Sequence, residues 1–215
     1  MSSLTLIIGN KKYSSWSLRP WLVMKTLGIP FTERLETFDH STNHAHFRAF
    51  SPSKKVPVLQ HETLTIWDSL AMCEYLAELF PQHALWPNDR TQRAVARSVA
   101  NEMHSGFLAL RTECPVNFAR PVGALALSDD CHRDIKRIES LIDDCYASHQ
   151  DDYLFGTFGI ADAMLAPVVN RVRTYALTRH PAVMRFCDAI EALPAWQQWA
   201  KDGADEPWVC DIVEF

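Results

Sequence analysis

The sequence predicts an α/β domain followed by an all-α domain, and three observations predict it. Short β-forming runs alternate with helix-periodic segments through the first 80 residues, a proline-containing polar stretch follows at 80–89, and every later apolar pattern has helical spacing. The expected division is an α/β domain over 1–80, a linker at 81–89 and a helical bundle over 90–215.

The run Leu4–Ile8 is short, apolar and rich in β-formers, and reads as a strand. A polar loop then leads to a helix that opens at Pro20, continues through Trp21, Leu22, Val23 and Met24, and is closed by Gly28 and Pro30. Residues 31–37 alternate apolar and polar side chains as a second strand, completing a βαβ unit whose strands should be parallel with a right-handed crossover. A short helix near 45–50 precedes strands at 56–60 and 63–66, joined by a tight turn at His61 and Glu62. Asp68 and Ser69 form an N-cap pair ahead of a helix whose apolar stripe is Leu70, Cys73, Leu76, Ala77 and Phe80.

Past the linker, Val95, Val99, Met103, Phe107, Leu110 and Cys114 recur at helical spacing as far as Pro115, predicting one long helix. A second begins at the Ser128-Asp129-Asp130 cap and carries Cys131, Ile135, Ile138, Ile142 and Cys145. Leu165, Val168, Val169, Val172 and Tyr175 mark a third, expected to kink at Pro167, where a backbone donor is missing. Val183, Phe186, Ile190 and Leu193 mark a fourth, with Pro181 in its first turn.

Composition excludes several function classes. With 215 residues, 47% apolar and 22% charged, the chain is neither disordered nor fibrous. Its 21 Lys and Arg against 26 Asp and Glu give a net charge of -5 and no basic block, so nucleic acid is not an expected partner. No apolar run approaches the roughly 18 residues of a membrane span and no leader pattern opens the sequence, so a membrane is not expected and a cytoplasmic location is. Six cysteines without C-x-x-C spacing read as free thiols filling the core. His40, His44 and His46 lie close together, but no cysteine or carboxylate set flanks them at zinc spacing, so no metal is expected.

Two stretches suit anions. Asp68 and Ser69 stand at a helix N-terminus, where unpaired N–H groups and the helix dipole favour a carboxylate. Ser14 and Ser15 lie between the first strand and the first helix, where hydroxyls and helix-terminal donors can converge on a thiolate.

Four segments carry a family resemblance: Tyr13-Ser14-Ser15-Trp16-Ser17-Leu18-Arg19, then 51–59 with Lys55-Val56-Pro57 at its centre, then Trp67-Asp68-Ser69, and Gly159-Ile160-Ala161-Asp162. In order and spacing the chain resembles the soluble glutathione transferases, whose first domain is thioredoxin-like. The first segment is similar to the zeta class, the maleylacetoacetate isomerases, which read Ser-Ser-Cys-x-Trp-Arg there; this chain has Trp16 at the cysteine.

The resemblance implies glutathione as cosubstrate, activated as a thiolate for attack on a small electrophile, in a homodimer. It implies Ser14 as the first choice of hydroxyl donor, Ser15 as the second and Tyr13 as the third. Lys55, Val56 and Pro57 would meet the cysteinyl part of the peptide, with a cis bond before Pro57, and Asp68 and Ser69 its γ-glutamyl end. Trp16 disfavours thiol–disulfide exchange, since an indole forms no mixed disulfide. The alternatives are a glutathione-dependent cis–trans isomerase of a dicarboxylate and a non-catalytic glutathione-binding protein. The second substrate is expected at the domain boundary against Trp16, His104, Phe107 and Arg111, with Arg171 and Arg173 as weaker carboxylate clamps. Asp162 resembles the family's folding motif, although Gly159 stands where a Ser or Thr cap is usual.

Overall fold

The computed structural model describes residues 3–38, 40–42, 44–147 and 151–210. The first domain comprises β1 (Leu4–Ile8), α1 (Ser15–Thr26), β2 (Phe31–Leu35), β3 (Val58–His61), β4 (Leu64–Trp67) and α2 (Ser69–Leu79). The sheet order is β2-β1-β3-β4, with β1 parallel to β2 and antiparallel to β3, and β3 antiparallel to β4. The βαβ expectation is met, and Leu6, Ile7 and Ile8 of β1 are fully buried in the middle of this thioredoxin-like layer. The helical domain comprises α3 (Arg90–Ser105), α4 (Leu108–Glu113), α5 (Asp129–Tyr146), α6 (Ile160–Tyr175), α7 (Pro181–Glu191) and α8 (Pro194–Asp205). No helix among the described residues is long and apolar enough to cross a membrane.

Three expectations need correction. Helix α1 starts at Ser15 rather than Pro20, because the Ser14 side chain already accepts from the Ser17 N–H and Pro20 is carried inside the helix. The single helix expected through Cys114 is two: Gly106 ends α3, where a Cβ would meet the Glu102 carbonyl oxygen at 2.8 Å, and Phe107 adopts φ +61° before α4. The fourth stripe ends at Glu191, and Leu193 is the N-cap of α8, a helix opened by Pro194 that the apolar pattern did not reveal.

Helix α6 is the centre of the molecule, with every residue except Arg173 buried, and both α1 and α3 pack against it. It runs unbroken through Pro167. A helix buried all round must satisfy its polar groups internally, and α6 does so. Asp162 accepts from the Leu154 N–H through Oδ1 and the Gly159 N–H through Oδ2, each at 2.9 Å, so it supplies the cap that Gly159 lacks. Asn170 Oδ1 accepts from the Asn117 N–H at 3.1 Å. The six cysteines are free and buried.

Burial pushes the Asp162 carboxyl up to about 7 against the backbone amides that donate to it. The folded state therefore holds that proton where the unfolded chain has released it, and Asp162 loses part of its stabilising effect as pH rises from about 4 to 7. Asp162→Asn, which leaves one amide without its acceptor, is expected to lower the unfolding free energy by about 1–3 kcal/mol. Urea unfolding across that range should show the gap between wild type and variant narrowing with rising pH.

Candidate active site

The site begins in the loop after β1, which is held from far along the chain. The Lys11 and Lys12 backbone N–H groups donate to Glu206 Oε1 at 2.8 Å and Oε2 at 3.1 Å, and Lys11 Nζ pairs with Asp202 and Glu33 at 2.8 and 2.7 Å. Helix α8 lies so close that a Cβ on Gly203 would stand 3.0 Å from the Lys11 backbone. The Tyr13 hydroxyl donates to the Trp208 carbonyl and accepts from the Cys210 N–H.

The two serines that follow differ. Ser14 Oγ caps α1 and donates to Ser17 Oγ at 2.7 Å, which in turn accepts from the Gly9 N–H. Among the described residues the Ser15 hydroxyl has no such bond, and Tyr13, Ser14 and Ser15 together line a pocket of about 210 Å³ with Trp16, Phe38, Lys54, Lys55 and Val56. Trp16, Lys55 and Val56 are shared with a neighbouring cleft of about 370 Å³, which adds Pro57, Trp67, Asp68, Ser69 and His104. The two hollows form one groove around Val56.

The floor of that groove is the loop before β3. Ser51 Oγ donates to the Lys55 carbonyl at 2.6 Å and accepts from the Lys55 N–H at 3.1 Å, fixing the chain before a cis Val56–Pro57 peptide. The Val56 N–H and C=O make no hydrogen bond to other described residues. At the far end Asp68 has φ +79° and ψ 127°, an unfavourable region for a side-chain-bearing residue. Its Oδ1 caps α2 through the Leu70 and Ala71 N–H groups, and its Oδ2 takes His104 Nε2 at 2.9 Å. A carboxylate can only accept, so Nε2 carries the imidazole proton. Burial holds the His104 pKa below its ordinary value despite Asp68, so the ring is neutral near pH 7.

Trp16 is the hub on the opposite wall. The Arg19 guanidinium lies 4.2 Å from its ring centroid, that of Arg111 5.0 Å away, and His104 meets it edge-on at 5.2 Å. Sequence reasoning passed over Arg19, which is fully buried and donates through Nη1 to Ser69 Oγ at 3.4 Å. Its signal was a lone arginine between Leu18 and the apolar run from Pro20 to Met24.

Four of the residues expected at the second-substrate site are engaged elsewhere within the protein. Phe107 is buried in the core, its ring removed from the cleft by the break after α3. Arg111 donates to the Gly106 and Met103 carbonyls and so closes the end of α3. Arg171 donates to the Cys114 carbonyl at 2.9 Å and that of Pro167 at 3.1 Å, and burial lowers its pKa to about 9. Arg173 is paired with Asp188 and Glu191. Of the expected second-substrate residues, Trp16 and His104 line the cleft. Among the described residues no cluster of three or more His, Cys, Asp or Glu could hold a metal ion.

Comparison with known proteins gives this groove its class. The glutathione S-transferase N-terminal domain model matches residues 13–79 and the C-terminal domain model residues 119–202. The chain belongs to the glutathione S-transferase family. It is 27% identical over 190 residues to a probable maleylacetoacetate isomerase 1 of Drosophila melanogaster, covering 85% of this chain and 75% of that one. It is 29% identical over 157 residues to glutathione S-transferase 1 of Dianthus caryophyllus, covering 72% and 71%. Among solved structures, a glutathione transferase homolog from Burkholderia with bound glutathione superposes with a TM-score of 0.72 at 26% identity, covering 95% of this chain and all of that one. A zeta-class maleyl pyruvate isomerase shares the fold, with a TM-score of 0.72 at 23% identity and the same coverage.

The Ser14 geometry is that of a helix cap. Ser14→Ala is expected to cost about 1 kcal/mol of stability, seen as a lower urea midpoint at unchanged slope.

Proposed function

We propose that this protein activates glutathione as a thiolate and directs it at a small electrophile. The observation that carries the reading is the Val56 peptide, unpaired among the described residues and set between Ser69 at the N-terminus of α2 and the Ser15 hydroxyl. Glutathione has the matching parts in the matching order. Its γ-glutamyl carboxylate suits the α2 N-terminus, its cysteinyl peptide suits the Val56 N–H and C=O, and its glycyl carboxylate suits Lys54 and Lys55.

In this arrangement Ser15, rather than the internally bonded Ser14, donates to the sulfur. A free thiol has a pKa of about 8.5, and lowering it by two units takes about 2.7 kcal/mol of preferential stabilisation of the anion, which one hydroxyl bond and the α1 N-terminus together can supply. The thiol proton leaves to solvent. The sulfur lone pair then forms a C–S bond with the electrophilic carbon, and the leaving group departs with the electrons of the bond it breaks. Trp16 and His104 wall the space where that carbon would sit.

A second reading, glutathione-dependent isomerisation of an unsaturated dicarboxylate, rests on the names of the similar isomerases and on sulfur addition followed by elimination at the same carbon. It lacks a ready clamp, since Arg111, Arg171 and Arg173 bind the protein's own carbonyls and carboxylates. We place the protein in the cytoplasm, where its six buried thiols stay reduced, as a homodimer that would cover the half-exposed Leu64, Trp67 and Val95.

Thiolate absorbance of bound glutathione, followed against pH, tests the reading. The wild type should titrate well below 8.5 and Ser15→Ala close to it, with binding retained. Binding with an unshifted thiol in the wild type would make this a glutathione-binding protein without the activating chemistry, and no binding would remove the reading altogether.

A further inference from the structure

Arg19 presents a physical anomaly at the centre of the site. Its side chain is completely buried, and among the described residues Nε and Nη2 have no hydrogen-bond partner and Nη1 has only Ser69 Oγ. Asp68, the acid whose charge it feels, turns its Oδ2 to His104 instead. Arg111 and Arg171 add positive charge nearby, and the Trp16 ring covers the guanidinium at 4.2 Å. An uncompensated buried cation is destabilising, and a chain under selection for stability alone would place an apolar side chain there. Burial and the neighbouring cations hold the Arg19 pKa well below its ordinary value, in keeping with a charge that awaits a partner.

The placement of Ser69 indicates which partner. Ser69 is the first residue of α2 and lines the cleft. Because its Oγ accepts from Arg19, its own proton must point elsewhere, and the open direction is the cleft. We propose that Arg19 is a positioning residue for the γ-glutamyl carboxylate of glutathione, orienting Ser69 as donor and supplying from beneath it the positive charge that this carboxylate balances. The inference rests on the glutathione reading above and extends it to a residue that does not line the groove. Trp16 acquires a role as the cover that keeps water from Arg19 and so keeps the charge effective at short range.

The test is a ligand–variant cycle by titration calorimetry, using Arg19→Met and Arg19→Gln with three peptides. These are glutathione, its analogue lacking the γ-glutamyl α-carboxylate (γ-aminobutyryl-cysteinyl-glycine), and its analogue lacking the α-amine (glutaryl-cysteinyl-glycine). Both variants should bind glutathione and the amine-free analogue at least ~tenfold more weakly than wild type, while affinity for the carboxylate-free analogue stays within about twofold. Turnover at saturating glutathione should hold while KM rises, and ligand-free Arg19→Met should melt no lower than wild type. Equal weakening for all three peptides, unchanged affinity for glutathione, or loss of folding in both variants would each overturn the proposal. Failure of the wild type to bind glutathione is a different result, which removes the functional reading and this inference with it.

Discussion

The arrangement of the cleft depends on burying one helix on all sides. Helix α6 has no face left for water, so α1 and α3 are held against a rigid post rather than against each other across solvent. Trp16 and Arg19 come from α1 and His104 from α3, so their meeting at one indole follows from how these two helices dock on the third. The cost is internal polar bookkeeping, met by Asp162 at the N-terminus of α6, by Asn170 against Asn117 and by Arg171 on the Cys114 carbonyl. These groups lie away from the groove and still determine its shape.

Across the domain boundary polar contacts at the cleft add to the apolar packing of α1 on α6. His104 on α3 reaches Asp68 at the N-terminus of α2, and Arg111 folds back on the end of α3 while resting against Trp16. Each contact uses a charge or dipole that the helix ends already present. Trp16 acts there both sterically and electrostatically: its ring shields a cation and walls the pocket.

The sequence revealed the parts governed by local chemistry. The β-forming run at Leu4–Ile8, the Ser128 cap of α5 and the Asp68–Ser69 start of α2 all lie where residue type and period place them. Phe107 shows why the rest was hidden: it stays in register with the apolar stripe because it is buried, and burial carries no information on the positive φ that breaks the helix there. Proline favours a first turn, which points to a start at Pro20, yet the cap lies at Ser14 and Pro20 is tolerated inside α1. Arg111, Arg171 and Arg173 are legible as charges, but what each one faces is decided by backbone carbonyls and acids brought near only by tertiary packing. Arg19 is the inverse case, a charge whose Nε and Nη2 are shown to be without partners among the described residues only once the core around it is closed.

The anchors of the loop ahead of Ser14 give the molecule an order of assembly. Lys11, Lys12 and Tyr13 are fixed by Asp202, Glu206 and Trp208, which follow them by some 191 to 196 positions. A nascent chain can pair β1 with β2 early, since their separation is short, but it cannot set the serine loop until α8 has emerged and docked. The serine loop, although it follows directly on β1, is thus among the last parts of the site to take its working shape.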